Sequence, residues 1–284
     1  MSRLTEIFAH KRRELAERRA ARPLGAVIAA ARRAPPPLDF EKALRAAPAR
    51  PALIAEIKAA SPSRGVLAPN FDPGRLARDY ADNGAAALSV LTDERYFRGS
   101  LHHLEAVRPQ APGVPLLRKD FICDAYQVYE ARAAGAGAVL LIAAALTGDE
   151  LAGLHELART LGMAALVEVH AADELAGALA CHPGLLGINN RNLHDFTVDL
   201  GTTESLAPQV PEDVCLVAES GIFCATDIAR LDAIPRPSGG RGIEAVLVGE
   251  ALVTAADVGA KTRELAQKPG AKGANGPESR TLRS

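Results

Sequence analysis

The stretch AVLLIAAALTGDELAGLHELARTLGMAALVEVH, residues 138–170, contains a complete strand–helix–strand unit. Short and mostly apolar runs stand at its two ends (AVLLIAAA and AALVEVH), as expected of parallel strands that are buried on both faces. Between them, TGDELAGLHELARTLG has a Thr near its start and a Gly at its end, and these residues favour helix termini. The unit predicts parallel strands that are joined by helices.

The same alternation continues along the chain from about Pro51. Eight short apolar runs, each bounded by Gly, Pro or polar residues, are strand candidates: ALIAEIK (52–58), ALSVLT (87–92), PLLRKD (115–120), AVLLIAAA (138–145), AALVEVH (164–170), LLGINN (185–190), VCLVAES (214–220) and AVLVGEAL (245–252). Amphipathic segments such as DPGRLARDYADNG and DAYQVYEARAAGA lie between them. The pattern predicts an α/β fold, a (β/α)8 TIM barrel over residues 51–267. A doubly wound open sheet is the alternative, but it usually has fewer strands, and no G-x-G-x-x-G follows the first strand here.

Residues 1–50 precede the predicted barrel. The segment LTEIFAHKRRELAERRA has the spacing of a helix, with four apolar residues on one face: Leu4, Ile7, Phe8 and Leu15. The three prolines of RRAPPPLDF then end the helix, because proline cannot continue one. We therefore predict an N-terminal helical extension that packs on the barrel.

Two other segments fall outside the regular pattern. Residues 268–284 are rich in Gly, Pro and charge and have almost nothing to bury, so they are predicted to be a disordered tail. The segment IPRPSGGRG (234–242), before the last strand, is predicted to be a flexible surface loop.

Composition excludes several classes of function. The chain has 284 residues, 48% hydrophobic and 24% charged, which is the range of globular proteins. Its net charge of −1 does not favour a nucleic-acid partner or an anionic membrane. No apolar run approaches the roughly 20 residues of a membrane span, and the charged N-terminus does not resemble a secretory signal. The four cysteines are scattered without metal-ligand spacing. We expect reduced thiols, no metal site and a cytoplasmic location.

Ionisable residues stand at the ends of the predicted strands, where a barrel of this type forms its active site. Two lysines and three glutamates come from four of the strands: Glu56, Lys58, Lys119, Glu168 and Glu219. Side chains two apart in a strand share a face, so Glu56 is expected beside Lys58. One such pair could be a structural ion pair, but packing does not explain five charged groups. Lysines and glutamates in this setting suit acid–base chemistry on a polar, anionic substrate.

A second group of residues predicts a phosphate site. Gly221 follows the seventh strand and Gly249 the eighth, where such barrels bind phosphate through backbone N–H groups at a short helix. Either glycine alone could belong to a tight turn. Together with the serines and Arg64 of SPSRG (61–65), they favour a phosphorylated small molecule as the ligand.

Motifs from all eight strand–helix units resemble those of indole-3-glycerol phosphate synthases, in order, from about Ala52 to Val253. The matching stretches are AEIKAASPSRG, SVLTDERYFRGS, LLRKDFICDAYQVYEARAAGA, LVEVH, GINNRNL, VAESGI and VLVGEAL. The N-terminal helix is also similar to an extension of that family. The resemblance implies ring closure, decarboxylation and dehydration of 1-(2-carboxyphenylamino)-1-deoxyribulose 5-phosphate, in tryptophan biosynthesis, without metal or organic cofactor.

The resemblance also implies a role for particular residues. Lys119 would be the general acid of ring closure and Glu168 the acid–base group of dehydration. Glu56 would orient the lysines, and Lys58 would bind the anionic substrate or donate a second proton. The expected substrate contacts are sugar and carboxylate positioning by Asn189, Arg191 and Glu219, the aromatic ring on Phe121, and the phosphate at Ser61, Ser220, Gly221, Gly249 and Glu250.

Two alternatives remain open from the residues themselves. A sugar-phosphate isomerase on the same barrel would conserve the mass of its substrate, and such an enzyme would more naturally use Cys/Asp or Asp/Asp pairs. A non-catalytic phosphate-binding barrel would be expected to lack part of the acid–base set. The long segment 235–242 departs from the family pattern, as does the C-terminal tail. We expect a monomer with no nucleic-acid or membrane partner.

Overall fold

The structure is a computed structural model that describes residues 3–62, 64–192, 197–237, 239–240 and 242–267. The tail predicted for residues 268–284 lies outside the described residues. Eight parallel strands close into a barrel, in which each strand pairs with the next and the last pairs with the first. The predicted TIM barrel is confirmed.

All eight strand candidates form barrel strands. Each is shorter at its C-terminal end than its apolar run, because the last residues turn into the loops that follow. In chain order the strands are β1 Ala52–Ile57, β2 Ala87–Leu91, β3 Leu116–Lys119, β4 Ala138–Ile142, β5 Ala164–Val169, β6 Leu185–Asn189, β7 Cys215–Glu219 and β8 Ala245–Val248. A hairpin of Ala60–Ser61 and Gly65–Val66 follows β1.

Helices cover the barrel, but the N-terminal extension differs from the prediction of one helix that the prolines at 35–37 end. Pro23 ends the first helix earlier, and a second helix follows before those prolines. Three helices precede the barrel: α1 Arg3–Ala21, α2 Leu24–Arg33 and α3 Phe40–Arg45. The others follow the strands: α4 Pro73–Asp82, α5 Glu94–Phe97, α6 Leu101–Val107, α7 Ala125–Ala134, α8 Gly148–Thr160, α9 Ala172–Leu179, α10 Gly201–Leu206, α11 Ala225–Asp232, α12 Glu250–Val253 and α13 Val258–Leu265. Within the described residues, no helix combines the length and the apolar character that a membrane span requires.

Side chains alternate between the two faces of each strand, and both faces are apolar along most of its length. Outward residues such as Leu53, Leu88 and Val139 pack in the large core beneath the helices. Inward residues such as Ile54 and Leu166 form a second core inside the barrel. The barrel is therefore filled by side chains, and the open space lies at the C-terminal ends of its strands.

The N-terminal helices close the barrel at both ends. All four residues of the predicted apolar face of α1 are buried, and Leu4 and Phe8 join the apolar cluster of inward residues. Phe40 and Leu44 of α3 belong to the same cluster, together with the first inward residues of the strands. Helix α2 packs on α7. The extension thus contacts the barrel through buried apolar side chains.

A buried lysine holds α1 against the C-terminal ends of the barrel strands. The side chain of Lys11 is 1% exposed, and its Nζ lies 2.8 Å from Asp93 and 3.1 Å from Asp120, in the loops after β2 and β3. Burial lowers the pKa of Lys11, but these carboxylates and Glu14 outweigh that effect, and the net direction is upward. The ammonium therefore stays charged, and α1 is held over the ends of β2 and β3.

The segment predicted as a flexible loop before β8 is anchored in its described part. The side chain of Arg236 is buried and donates hydrogen bonds to the carbonyls of Ala207 and Pro211, each at 3.2 Å. Ser238 and Arg241 lie outside the described residues. The segment precedes β8, whereas the predicted phosphate residues follow that strand, so the two lie at opposite ends of it.

Replacing Lys11 by Met should destabilise the fold. The change leaves Asp93 and Asp120 buried without their shared cation, and breaking a buried ion pair in this way costs about 3–5 kcal/mol. Urea unfolding followed by circular dichroism measures the effect. Lys261→Met is the control, because its pair with Glu264 lies on a helix surface and contributes only about 0.3–0.5 kcal/mol. Equal effects of the two substitutions would contradict the anchoring role of Lys11.

Candidate active site

Four ionisable side chains point into the barrel from its odd-numbered strands. Glu56 comes from β1, Lys119 from β3, Glu168 from β5 and Glu219 from β7. In TIM barrels the side chains of one interior layer come from alternate strands, so these four residues form a single layer. Apolar residues such as Leu117 and Leu166 fill the barrel beneath it. The sequence prediction that these charges converge is confirmed.

The ammonium of Lys119 lies between two carboxylates in this layer. Its Nζ is 2.9 Å from Oε2 of Glu219 and 3.4 Å from Oε2 of Glu168. Burial lowers the pKa of Lys119, but the negative charges of Glu219, Glu168 and Glu56 outweigh burial and raise it above its usual range. Lys119 is therefore held in its charged, proton-donating form.

The two carboxylates that share Lys119 differ in proton affinity. Burial, followed by the repulsion of Glu168, raises the pKa of Glu219 to about 8 despite its contact with Lys119. Burial also favours the neutral form of Glu168, but Lys119 and His170 outweigh it and lower the pKa of Glu168. Near neutral pH one carboxyl group is thus protonated and the other ionised, the division of roles that acid–base chemistry requires.

Glu56 and Lys58 form the second ion pair of the site. The Nζ of Lys58, just past the end of β1, lies 2.7 Å from Oε1 of Glu56. Burial would raise the pKa of Glu56, but the charges of Lys58 and Lys119 lower it overall. Glu56 is consequently an ionised carboxylate that faces both lysines, as expected from their spacing in the sequence.

The layer forms the floor of a cavity at the C-terminal ends of the strands. The cavity has two adjoining parts, which share Lys58, Lys119 and Arg191 in their walls. All thirteen predicted site residues line one part or both: Glu56, Lys58, Ser61, Lys119, Phe121, Glu168, Asn189, Arg191, Glu219, Ser220, Gly221, Gly249 and Glu250. The structure therefore brings these thirteen residues together. Arg64, which the sequence also predicted for the phosphate site, is not among the described lining residues and pairs with Glu250 instead.

One part of the cavity has an apolar wall. Leu140 and Ile142 of β4, Phe97 and Phe121 contribute to it, and so do Leu4 and Ile7 of α1. The ring of Phe121 contacts Phe8 of α1 edge-on, with 5.8 Å between centroids. Sequence reasoning predicted that α1 packs on the barrel but not that it lines the site, because the docking angle of a helix is not encoded in its periodicity.

The other part of the cavity is polar and lies at the ends of β7 and β8. Ser220 and Gly221 both have positive φ, of 67° and 79°, and turn the chain sharply at the end of β7. Gly249 follows β8, and a Cβ there would overlap Oε1 of Glu56. The carboxylate of Glu250 pairs with the guanidinium of Arg64 at 3.1 Å, a contact between the loops after β8 and β1.

Ser61 and Asn189 complete the polar lining. The Oγ of Ser61 is buried and has no hydrogen-bond partner within the described part of the chain. The Oδ1 of Asn189 accepts a hydrogen bond from the backbone N–H of Arg191 at 3.0 Å. Its neighbour Asn190 has a structural task, because its side chain donates to the carbonyls of Glu219 and Ser220 and so ties β6 to β7.

Two charged residues of the RKDF motif, Arg118 and Asp120, form ion pairs outside the four-residue floor, and Asp120 also contributes to the cavity wall. Arg118 is fully buried on the outer face of β3, where its Nη2 lies 3.0 Å from Asp120 and its Nη1 3.2 Å from Glu130. Burial raises the pKa of Asp120, but Arg118 and Lys11 outweigh it and lower that pKa far below its usual range. These residues hold the end of β3 in place, with Lys119 between them on the inner face.

The sequence profile of a known family matches almost the whole described chain. The family is described as "Indole-3-glycerol phosphate synthase", and the match covers residues 4–265. The chain belongs to the indole-3-glycerol phosphate synthase family. The resemblance that its motifs suggest is thereby confirmed, and both open alternatives, the isomerase and the non-catalytic barrel, fall away.

Curated relatives agree with this assignment. An indole-3-glycerol phosphate synthase of Roseiflexus castenholzii is 54% identical over 270 residues, which are 92% of this chain and 97% of that protein. One from Albidiferax ferrireducens is 49% identical over 264 residues, with the same coverage. One from Dehalococcoides mccartyi is 49% identical over 232 residues, which cover 81% of this chain and 86% of that protein.

Solved structures support the fold alone. A 3-hexulose-6-phosphate synthase superposes with a TM-score of 0.58 at 17% identity, over 76% of this chain and 98% of that one. The tryptophan synthase alpha chain of Legionella pneumophila gives the same TM-score and identity, over 80% of this chain and 95% of that one. At this identity the similarity shows a shared barrel.

Sequence reasoning also missed two residues that lie against carboxylates of the catalytic layer. Gly187 of β6 faces the floor, and a Cβ there would overlap Oε1 of Glu219. His170 lies 3.2 Å from Glu168, and the sequence analysis assigned it no role. A glycine inside the LLGINN strand was the available signal for Gly187, since such a glycine often marks close approach by another group.

Gly187→Ala should impair turnover without unfolding the protein. The added methyl group displaces the carboxylate of Glu219, and misplacement of a catalytic group by about 1 Å costs on the order of 100-fold. We expect kcat to fall by about 10- to 100-fold, measured by the fluorescence of the indole product. Gly153→Ala on α8 is the control, because nothing lies within 4 Å of its Cβ position. Wild-type turnover in Gly187→Ala would contradict the proposed crowding.

Proposed function

We propose that Lys119 and Glu168 perform the acid–base steps of catalysis, Lys119 in ring closure and Glu168 in dehydration. The observation that carries this proposal is the position of Lys119, whose buried ammonium contacts Glu168 and Glu219 in the floor of the cavity. Glu56 and Lys58 are then the supporting ion pair.

The overall reaction follows from family membership. The chain is an indole-3-glycerol-phosphate synthase, a carboxy-lyase of tryptophan biosynthesis that acts on a phosphorylated substrate. The reaction closes a ring, releases carbon dioxide and then removes water. Its chemistry needs one group that donates a proton to a carbonyl oxygen and another that takes and returns protons during dehydration.

Ring closure is the step for which Lys119 is suited. Attack of the aromatic carbon on the carbonyl breaks aromaticity, so negative charge develops on the carbonyl oxygen. An ammonium fixed in a buried site stabilises that charge better than water does and transfers its proton to the oxygen. The raised pKa of Lys119 ensures that the proton is present when the substrate binds. Loss of carbon dioxide then restores the aromatic ring.

Dehydration is the step for which Glu168 is suited. Its pKa is lowered, so it is ionised near neutral pH and can accept a proton from the ring-closed intermediate. Glu219, with a pKa raised to about 8, keeps its proton under the same conditions. We assign to Glu219 the positioning of sugar hydroxyls and of Lys119, which it contacts at 2.9 Å.

The two ends of the cavity correspond to the two ends of the substrate. The apolar wall around Phe121 suits the aromatic ring, and the turn at Ser220 and Gly221 suits the phosphate. The backbone at Gly249 and Glu250, together with the unpartnered Oγ of Ser61, would complete the phosphate contacts. The side chains between the two ends would hold the sugar and the carboxylate: Lys58, Asn189 and Arg191.

Some expectations stay predictions. They are a cofactor-free reaction, a monomeric state, a cytoplasmic location, the absence of nucleic-acid and membrane partners, and a division into extension 1–50, barrel 51–267 and tail 268–284.

Lys119→Ala and Glu168→Gln should each lower kcat by at least about 100-fold while the circular dichroism spectrum stays unchanged. The assay follows indole fluorescence with the synthase substrate in buffer that contains a metal chelator. Lys261→Ala, a surface lysine that pairs only with Glu264 in the described structure, is the control and should retain full activity.

The same assay tests the participation of each residue individually. Wild-type turnover in either variant would remove that residue from the mechanism. Mass spectrometry of the wild-type product should show the loss of both carbon dioxide and water, and a product of unchanged mass would contradict the assigned reaction.

A further inference from the structure

His170 is a buried histidine that the mechanism above does not use. It follows the end of β5, its side chain is 6% exposed, and its Nε2 lies 3.2 Å from Oε1 of Glu168. His170 is not among the described residues that line the cavity, so it contacts the carboxylate of Glu168 on the side that faces away from the cavity.

Glu174 of α9 holds this histidine from its other side. The Nδ1 of His170 lies 3.5 Å from Oε2 of Glu174, and the same oxygen accepts a hydrogen bond of 2.8 Å from the backbone N–H of His170. The histidine thus stands between two carboxylates, one in the catalytic layer and one at the start of the next helix.

We propose that His170, held by Glu174, is a positioning residue whose imidazolium fixes Oε1 of Glu168 and keeps that carboxylate ionised. Oε2 is then left to face Lys119 and the substrate. The inference rests on the proposed role of Glu168 and deepens it, by naming the group that keeps Glu168 ready to accept a proton.

The charges around His170 support a permanent imidazolium. Burial lowers the pKa of His170, but Glu168 and Glu174 outweigh burial and raise it to about 9. Within the described structure neither ring nitrogen makes a well-aligned hydrogen bond. The contact with Glu168 is consequently an attraction between opposite charges. A neutral imidazole ring would stabilise the carboxylate only weakly.

Glu168 needs this second cation because of its other neighbours. Glu219 from β7 and Glu56 from β1 are carboxyl groups of the same layer, and Lys119 from β3 is shared among all three. An opposite charge within about 4–6 Å lowers the pKa of a carboxyl group by about 1–3 units. Without His170, the cation that stabilises the ionised form of Glu168 would be Lys119, which also interacts with Glu56 and Glu219.

Kinetics of His170→Gln test the inference. Removal of the positive charge raises the pKa of Glu168, so the acidic limb of the pH profile of kcat should move upward by about 1 unit. We expect kcat near pH 7 to fall by about 10-fold, because Oε1 of Glu168 loses the contact that orients it, and KM to change by less than about 2-fold, because His170 does not line the cavity. His102→Gln is the matched control, since that histidine pairs with Glu105 on the surface and is 88% exposed.

Nuclear magnetic resonance of the histidine rings gives a second and independent readout. In wild-type protein at pH 7.5, both ring nitrogens of His170 should carry protons. Glu174→Gln, which leaves the cavity intact, should lower the titration midpoint of the ring and shift the acidic limb of kcat in the same direction as His170→Gln. This variant keeps the test decisive if His170→Gln does not fold.

Three results would overturn the inference. The first is a neutral His170 ring at pH 7.5, and the second is an acidic limb that does not move in a folded His170→Gln or Glu174→Gln variant. The third is full turnover in Glu168→Gln, which would overturn the role of Glu168 itself. In that case the ring of His170 in the wild-type protein would still titrate with a raised midpoint. Failure of the proposed role of Glu168 can therefore be distinguished from failure of the inference about His170.

Discussion

The ammonium of Lys119 is buried between the carboxylates of Glu168 and Glu219, and the charge state of the whole catalytic layer depends on this contact. Two buried carboxylates cannot both ionise beside one cation without cost. One of them, Glu219, keeps its proton, with a pKa raised to about 8, and the other is ionised. Glu56 is paired to Lys58, just outside the layer, so the layer and Lys58 together hold two negative and two positive charges.

The barrel supplies this arrangement through strand alternation. Residues of alternate strands share a layer, so one inward position on each odd strand is enough to bring the four groups together. Space for two of the carboxylates comes from glycines, one within β6 and one just after β8. Gly187 and Gly249 provide it, since a Cβ at either position would overlap a catalytic carboxylate. A second buried ion cluster, around Lys11, Asp93 and Asp120, holds α1 over the same end of the barrel.

Periodicity and strand-end chemistry predicted most of this from the sequence. The eight strands, the helices between them and the convergence of Glu56, Lys119, Glu168 and Glu219 all follow from local pattern and barrel geometry. The resemblance to the synthase family added the substrate-contacting residues. All of them line the cavity, although their individual roles are proposals.

What the sequence could not predict depends on long-range packing. Alternation shows which face Lys119 occupies, but not that its neighbours Arg118 and Asp120 join ion pairs with α1 and α7. The approach of Glu174 to His170 depends on how α9 begins, and the contribution of α1 to the apolar wall depends on its docking angle. These features appear only once the elements are assembled.

The central claim is that the contact between Lys119 and Glu168 couples their two roles, and a double-mutant cycle on kcat tests it most directly. Groups that work together lose most of their contribution when either is removed, so their effects are not additive. We predict that Lys119→Ala combined with Glu168→Gln is at most about 10-fold slower than the slower single variant. A double variant whose loss equals the product of the two single losses would contradict the account.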